Sequence, residues 1–212
     1  MDVLHWSPRS PYVRKVMVAL HEKGLTERVR TVRTLADPML PPRDFFAVNP
    51  LAKIPTLERE GAPPLWDSRV LLEWADLSSD TGPRLFPSDP ETRLQAMADE
   101  ALGTGMLETG VGLLIERHMR DNDRQDQRVF DVCQAKLVAA LDYLETSAAR
   151  LAARTFDAGH ISIGVALCYI DFRFSGMEWR KGRPALAAWH ETFLARPSVQ
   201  ATQFRDDPRP TQ

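Results

Sequence analysis

Two strand patterns on either side of one helical pattern occupy the start of the chain, and this arrangement constrains the fold more than any other part of the sequence. Residues 3–6 contain a short apolar run, and residues 29–33 alternate between apolar or β-branched and charged side chains. Between them, apolar side chains recur at helical spacing from Val13 to Leu20. Because a helix that joins two strands of one sheet makes a crossover, we predict a β-α-β unit with parallel strands.

The start of that helix is a candidate anion site. Ser10 suits the N-cap position and Pro11 the first helical position, while Gly24 suits the end of the helix. A helix that starts directly after a strand presents unpaired N–H groups and the positive end of its dipole, so an anionic sulfur, carboxylate or phosphate is stabilised there. The plainer interpretation is that Ser10 only caps the helix, and this short motif alone favours it.

Further turn and strand signals follow. Turn residues at 49–53 lead into a strand pattern that includes Pro55, and a hairpin turn at 58–62 joins this strand to another. Asp67 and Ser68 then begin a second helix. One of the two suffices as a cap, whereas two adjacent oxygens beside free N–H groups also suit a ligand with a carboxylate.

A domain boundary is predicted at residues 78–90, which contain three prolines and a glycine. Strand signals end there, and helical patterns cover about 91–119 and 126–153, the first with glycines that indicate bending or close packing. We therefore expect a first domain over residues 1–77, a linker over 78–90 and an all-helical domain over 91–212.

Composition argues against several classes of function. The chain carries 27 basic and 29 acidic side chains, so its net charge of −2 argues against a nucleic-acid partner. No apolar run reaches the roughly 18 residues of a membrane span, and the N-terminus lacks the layout of a signal peptide, so we expect a cytoplasmic protein with no membrane partner. The two cysteines and five histidines show no metal-ligand spacing, so we predict reduced thiols and no metal.

The corner between the first strand and the first helix resembles a known site. Residues 10–13 (Ser-Pro-Tyr-Val) are similar to the Cys-Pro-Tyr-Cys type of turn in the thioredoxin-like fold with both sulfurs replaced, and they resemble the serine-type, bacterial-like cytosolic glutathione S-transferases. Residues 49–55 (Asn-Pro-Leu-Ala-Lys-Ile-Pro) and 67–68 (Asp-Ser) follow in that family's order and roughly its spacing. The resemblance spans nearly the whole chain. It implies an α/β thioredoxin-like N-terminal domain (βαβ-ββα) followed by an all-α C-terminal domain.

The resemblance also implies which residues bind glutathione. Lys53 would meet the glycine carboxylate, Ile54 the cysteinyl backbone, and Asp67 with Ser68 the γ-glutamyl end. It further implies a cis peptide bond between Ile54 and Pro55, with the backbone groups of Ile54 turned outward so that the ligand adds as a strand edge.

Ser10 would be the catalytic residue of such a site. A hydroxyl that donates a hydrogen bond to the sulfur of glutathione stabilises the thiolate for attack on a small hydrophobic electrophile. Ser7 and Tyr12 are the alternative donors. By resemblance we also expect glutathione as the co-substrate, a homodimer and a role in detoxification.

Three other functions are compatible with parts of this pattern. A thiol–disulfide exchanger needs a nucleophilic cysteine at the corner where Ser10 stands. A non-enzymatic stress-response or interaction protein would keep the fold and lose turnover. A specialised lyase, dehalogenase or isomerase would use glutathione through the same residues, so the sequence does not separate it from a general transferase.

One departure from the family concerns the most apolar helical pattern, which begins near Ile161. The family's Ser/Thr-x-x-Asp capping box falls here on Asp157 and His160. His160 has no carboxylate to complete the box, and if protonated it would oppose the helix dipole, so we expect a weaker cap.

Overall fold

The computed structural model describes residues 1–207. They form two compact units. The first comprises Met1–Pro87 together with the described residues from Pro197 onward, and the second comprises Ser88–Arg196.

A mixed sheet of four strands organises the first unit. The strands are β1 (Asp2–Trp6), β2 (Val29–Arg33), β3 (Thr56–Arg59) and β4 (Ala62–Leu65), in the spatial order β2-β1-β3-β4. β1 pairs with β2 in parallel, whereas β3 is antiparallel to both β1 and β4. The predicted β-α-β unit and hairpin are therefore confirmed. Pro55 lies just before β3, where it removes no ladder hydrogen bond.

Two helices of the first unit, α1 (Pro11–Glu22) and α2 (Ser68–Leu77), pack against each other. Ser10 caps α1, and Gly24 follows its end at a φ of +63°, which suits the left-handed residue after a helix. The core that the sheet and both helices share contains Leu4, Val13, Val18, Leu20, Leu57, Leu71 and Leu72.

A buried ion pair fastens the segment that follows α2. Lys23 Nζ lies 3.2 Å from Asp76 Oδ1 and also donates to the carbonyl of Pro83 at 3.2 Å. The same carboxylate accepts the backbone N–H groups of Leu85 and Phe86 at 2.9 and 3.1 Å. Because the buried charges have partners, the cluster ties this segment to both helices.

The last described segment, residues 197–207, returns to α1 and begins with the short helix α7 (Pro197–Gln200) after the helices of the second unit. The Ser198 hydroxyl donates to the carboxylate of Glu22, and Arg14 Nη2 donates to the carbonyl of Val199 at 3.3 Å. This segment therefore covers one side of α1.

The described second unit is built from helices alone. They are α3 (Pro90–Met119), α4 (Gln127–Ala153), α5 (Ala158–Arg173) and α6 (Pro184–Leu194), which precede α7 in the chain. Residues 158–170 of α5 are all buried, and α3 packs along α5. Together, the α/β first unit and the helical second unit confirm the fold class that the resemblance implies.

Two glycines let neighbouring helices approach α5 closely. A Cβ atom on Gly103 of α3 would lie 2.4 Å from the backbone carbonyl carbon of Ser162, and one on Gly164 would lie 2.5 Å from the ring of Phe193. Close packing is therefore confirmed for Gly103. Gly105 has no such neighbour within 4 Å.

Asp157 caps α5 and is fully buried. Its carboxylate accepts the N–H of His160 at 3.1 Å, while Nδ1 of His160 lies 3.3 Å from the backbone nitrogen of Asp157. Nε2 of the same ring donates to the carbonyl of Leu151 at 2.9 Å. The capping box is complete although His160 has no carboxylate, and the expected weaker cap stays a prediction. An imidazole nitrogen takes the place of the carboxylate.

Arginines surround this cap. Arg154 Nε donates to Asp157 at 2.6 Å, and its Nη1 lies 2.8 Å from Asp99, which Arg150 also clamps at 2.7 and 2.9 Å. Burial alone would raise the pKa of the Asp157 carboxyl, but the hydrogen bonds from His160 and Arg154 outweigh burial and hold this pKa below its usual range.

Candidate functional site

Three chain segments meet at one end of the sheet. β1 ends at Trp6 and β3 begins at Thr56, and these antiparallel strands pair His5 with Thr56. β3 and β4 pair Leu57 with Leu65, the last residue of β4. The corner after β1, the loop before β3 and the turn after β4 therefore lie side by side. This brings together the three motifs that the sequence singles out.

Ser10 lies in the first of these segments. Its Oγ accepts the N–H of Val13 at 3.3 Å, and its own N–H donates to the carbonyl of Ser7 at 3.3 Å. The cap uses Oγ only as an acceptor, so the hydroxyl proton remains able to donate to a ligand. Ser10 is half-buried, which leaves it accessible.

The alternative donors flank Ser10. Ser7 is 7% exposed, and its Oγ accepts the N–H of Arg9 at 3.4 Å. Tyr12 is half-buried on the first turn of α1. Ser10 is the one of the three at the N-cap itself, and its contact with a sulfur stays a prediction.

Two buried polar side chains shape the loop before β3. Asn49 Nδ2 donates to the carbonyl of Lys53 at 3.1 Å and to Thr56 Oγ1 at 2.8 Å. The Thr56 hydroxyl in turn donates to the carbonyl of Lys53 at 2.7 Å. These bonds fix the backbone of Lys53 while its side chain stays exposed. The Ile54–Pro55 peptide bond that follows is cis, as predicted.

Asp67 and Ser68 begin α2 beside this loop, after a cis bond between Trp66 and Asp67. Asp67 is exposed, and its Oδ1 accepts the N–H of Arg69 at 3.0 Å. Within residues 1–207, its second carboxylate oxygen has no hydrogen-bond partner. Ser68 is 2% exposed, and its Oγ accepts from Lys15 Nζ at 3.3 Å. The pair thus combines an exposed carboxylate with a buried hydroxyl held from α1.

Lys15, Asn49 and Thr56 support the site, and the sequence did not single them out. Lys15 is fully buried and joins α1 to the first residue of α2. Its neighbours at i+3 and i+4, Val18 and Ala19, are apolar, and this spacing is the signal that would have placed Lys15 on a buried face. Asn49 and Thr56 carry no comparable signal, because polar residues around a turn resemble ordinary loop residues.

The corner at Ser10 has no thiol of its own, since the two cysteines, Cys133 and Cys168, both lie in the second unit. No group of three His, Cys, Asp or Glu side chains in residues 1–207 is placed to hold a metal ion. Over the same residues, every helix is too short or too polar to cross a membrane.

Comparison with protein families matches both units. The sequence model of the glutathione S-transferase N-terminal domain matches residues 9–77, and that of the glutathione S-transferase C-terminal domain matches residues 114–192. The first match contains Ser10, residues 53–55, Asp67 and Ser68, and it begins after the alternative donor Ser7.

Individual relatives cover nearly all of the chain. The uncharacterized GST-like protein YibF of Escherichia coli K12 is 29% identical over 197 residues, which are 92% of this chain and 94% of that protein. A glutathione transferase family member from Pseudomonas fluorescens Pf-5, solved with bound glutathione, is 37% identical with a TM-score of 0.93, over 97% of this chain and 100% of the other. A second structure of that family member, with bound S-(propanoic acid)-glutathione, has a TM-score of 0.89 at the same identity and over the same shares of both chains.

Proposed function

The chain belongs to the glutathione S-transferase family, and we propose that it is a glutathione transferase that activates the thiol of glutathione for attack on a small hydrophobic electrophile. The observation that carries this proposal is the meeting of two helix N-termini at one end of the sheet. α1 begins at a hydroxyl cap that can still donate, and α2 begins at an exposed carboxylate cap. Glutathione, with a charged group at each end and a sulfur between them, suits this arrangement.

Each part of glutathione has a proposed partner. The exposed ammonium of Lys53 pairs with the glycine carboxylate, and the backbone of Ile54, restricted by Pro55, pairs with the cysteinyl residue. Asp67 accepts from the γ-glutamyl ammonium. Ser68 and the free N–H groups at the start of α2 stabilise the γ-glutamyl carboxylate, together with the helix dipole.

Ser10 and the start of α1 are proposed to activate the sulfur. Only interactions that favour the thiolate over the thiol lower the pKa of the thiol. A hydroxyl donor and the positive end of a helix both act in this direction. The thiolate then attacks the electrophile. The first unit has no cysteine, so a thiol–disulfide exchange at this corner has no nucleophile of its own.

Glutathione as the ligand is supported by the two solved structures of the family member from Pseudomonas fluorescens Pf-5, one of which holds glutathione and the other glutathione with a propanoic acid group on sulfur. By the same reasoning, we propose that this chain binds both glutathione and products that carry a group on its sulfur.

We further propose that residues 1–77 bind glutathione, that residues 91–212 form the helical domain after a linker at 78–90, and that the protein is a cytoplasmic homodimer that acts in detoxification. Sedimentation over a range of protein concentrations tests the dimer, and cell fractionation tests the location. A monomer at all concentrations would refute the proposed dimer, and recovery outside the cytoplasm would refute the proposed location. Neither result would affect the proposed glutathione site.

Calorimetric titration with glutathione tests the central proposal. The matched control ligand is the α-linked tripeptide Glu-Cys-Gly, which keeps the composition of glutathione and moves its ammonium and carboxylate away from Asp67. We expect glutathione to bind and the control to bind more weakly. Rates with aryl halides, epoxides and unsaturated carbonyl compounds then test transfer. Binding without turnover over the whole panel would favour the non-enzymatic alternative, and no binding would refute the proposed transferase.

A further inference from the structure

A pocket of about 300 Å³ lies in the first unit, on the side of α1 that residues 197–207 cover. Val13, Arg14 and Met17 line it from α1, and residues 200–203 with Arg205 line it from the returning segment. The described lining contains two arginines and neither Asp nor Glu, so its charge is positive. We call this the Arg14 pocket.

Arg14 has unused hydrogen-bonding capacity although it is only 6% exposed. Nη2 donates to the carbonyl of Val199 at 3.3 Å, and the guanidinium carbon lies 4.5 Å from the ring centroid of Phe204. Nε has no hydrogen-bond partner, and no carboxylate in residues 1–207 pairs with Arg14. A buried guanidinium without a counter-charge is costly, and a cation near a helix N-terminus also opposes the dipole. An anion in the pocket would relieve both.

The Arg14 pocket is close to the proposed position of the thiol. Ser10, Val13, Arg14 and Met17 stand at i, i+3, i+4 and i+7, so they share one face of α1. Val13 lines the pocket, and its backbone N–H donates a hydrogen bond to Ser10 Oγ. Ser10 and Arg14 are therefore about one helical turn apart, roughly 6 Å along the helix axis.

We propose that Arg14 binds a carboxylate of the second substrate, so that the enzyme prefers electrophiles that carry an acid group. This inference rests on the proposed function, because it names the substrate class of the same site. The planar guanidinium suits a carboxylate through parallel hydrogen bonds. Arg205, exposed at the same pocket, adds a second positive charge.

A pair of aryl chlorides tests this preference: 4-chloro-3,5-dinitrobenzoate and its methyl ester. In each reaction the thiol proton goes to solvent, the sulfur forms a bond to the carbon that bears chlorine, and chloride leaves with the electron pair of the broken bond. The two compounds share this chemistry and differ in the charged group. The readout is the ratio of kcat/KM for the acid to that for the ester, each corrected for its uncatalysed rate.

We expect the wild-type ratio to favour the acid and to fall roughly ten- to a hundredfold in Arg14→Gln, the size of a lost charge-assisted hydrogen bond. Arg205→Gln should lower the ratio about two- to fivefold, as for an exposed charge. The matched control is Arg30→Gln, which changes the net charge equally at an exposed position of β2 outside the pocket and should leave the ratio unchanged.

Equal ratios in wild type, Arg14→Gln and Arg205→Gln would overturn the inference while the proposed function stands. If Arg14→Gln does not fold, Arg205→Gln decides by the same ratio. If the wild type turned over neither chloride, the proposed transfer would be refuted for this class. Calorimetry with unreactive 3,5-dinitrobenzoate and its methyl ester would then decide whether Arg14 holds a carboxylate. Tighter binding of the acid that is lost in Arg14→Gln would support the inference, and equal binding would overturn it.

Discussion

Asp67 in the first unit and Asp157 in the second are both helix N-caps, but they differ in burial and in the number of their hydrogen-bond partners. Each is the N-cap of a helix and accepts a backbone N–H, at 3.0 and 3.1 Å. Asp157 is fully buried, and Arg154 donates to both of its carboxylate oxygens, at 2.6 and 3.2 Å. Asp67 is exposed and keeps an oxygen without a partner in residues 1–207. A cap that still has access and acceptor capacity can serve a ligand, whereas a saturated cap serves the fold.

The starts of α1 and α2 in the first unit both carry polar groups with unused hydrogen-bonding capacity. One carboxylate oxygen of Asp67 and the Nε of Arg14 lack partners among the described residues, and Ser10 keeps a hydroxyl proton to donate. Proteins leave local rules unfulfilled mainly where function requires it. The same comparison can be tested by removing one cap at a time.

Asp157→Ala should have the largest effect, a loss of about 3–5 kcal/mol in the free energy of unfolding, because Arg154 would lose one of its two carboxylate partners and the start of α5 would lose its buried cap. Asp67→Ala removes only an exposed cap and should cost about 0.5–2 kcal/mol. Urea unfolding of both variants measures the difference. Equal losses in the free energy of unfolding would contradict the inference that the buried cap contributes more to stability than the exposed one.

Asp67→Ala should instead weaken glutathione binding by about 1.5–3 kcal/mol, the size of a charge-assisted hydrogen bond. The matched control is Asp89→Ala, which removes another exposed N-cap, one that accepts the N–H of Thr92 at 2.9 Å at the start of α3. Calorimetry should find the Asp89 variant unchanged. An unaltered Kd in a folded Asp67→Ala protein would remove Asp67 from the site.

Ser10→Ala should raise the pKa of the bound thiol by about one to two units, since the hydroxyl favours the thiolate over the thiol. Affinity for glutathione should stay within a few fold, and transfer near neutral pH should slow about ten- to a hundredfold. Thiolate absorbance and initial rates measure the two effects. If both matched the wild type, Ser10 would be only a cap, and Ser7→Ala and Tyr12→Phe would be the next variants to test.

The smallest effect should be a difference in acid sensitivity. The pKa of the Asp157 carboxyl is lowered in the fold, so its contribution to stability is complete above the unfolded pKa of about 3.9 and is lost as the pH falls through the lower, folded pKa. The stability gap between wild type and Asp157→Asn should therefore be constant near neutral pH and shrink below about pH 4. A gap that persisted to about pH 2 would contradict this, and Asp67→Asn is the control.

Local patterns predicted the elements well, and tertiary contacts account for what they missed. The bounds of β2, residues 29–33, follow from alternation alone, whereas α5 begins at Ala158, before the apolar run at Ile161. Small residues give no apolar signal there, and His160 completes the box through a ring nitrogen that a carboxylate pattern does not anticipate.

The candidate site shows the same limit. Both helix starts are visible in the sequence because caps and prolines act locally. Helical spacing can place Lys15 on a buried face, but its partner Ser68 in α2 and the contact of Arg14 with Val199 lie far away in the chain. No local pattern encodes such distant partners.

On the ribosome, α1 is complete long before its last partners exist. Glu22 meets Ser198 across 176 residues, and Arg14 meets Val199 across 185. While the helices of the second unit are being synthesised, the uncovered side of α1 therefore faces water or a chaperone, and the guanidinium of Arg14 stays hydrated. The sheet and α2 can assemble early, but closure over α1 is a late event of synthesis, after most of the chain has emerged.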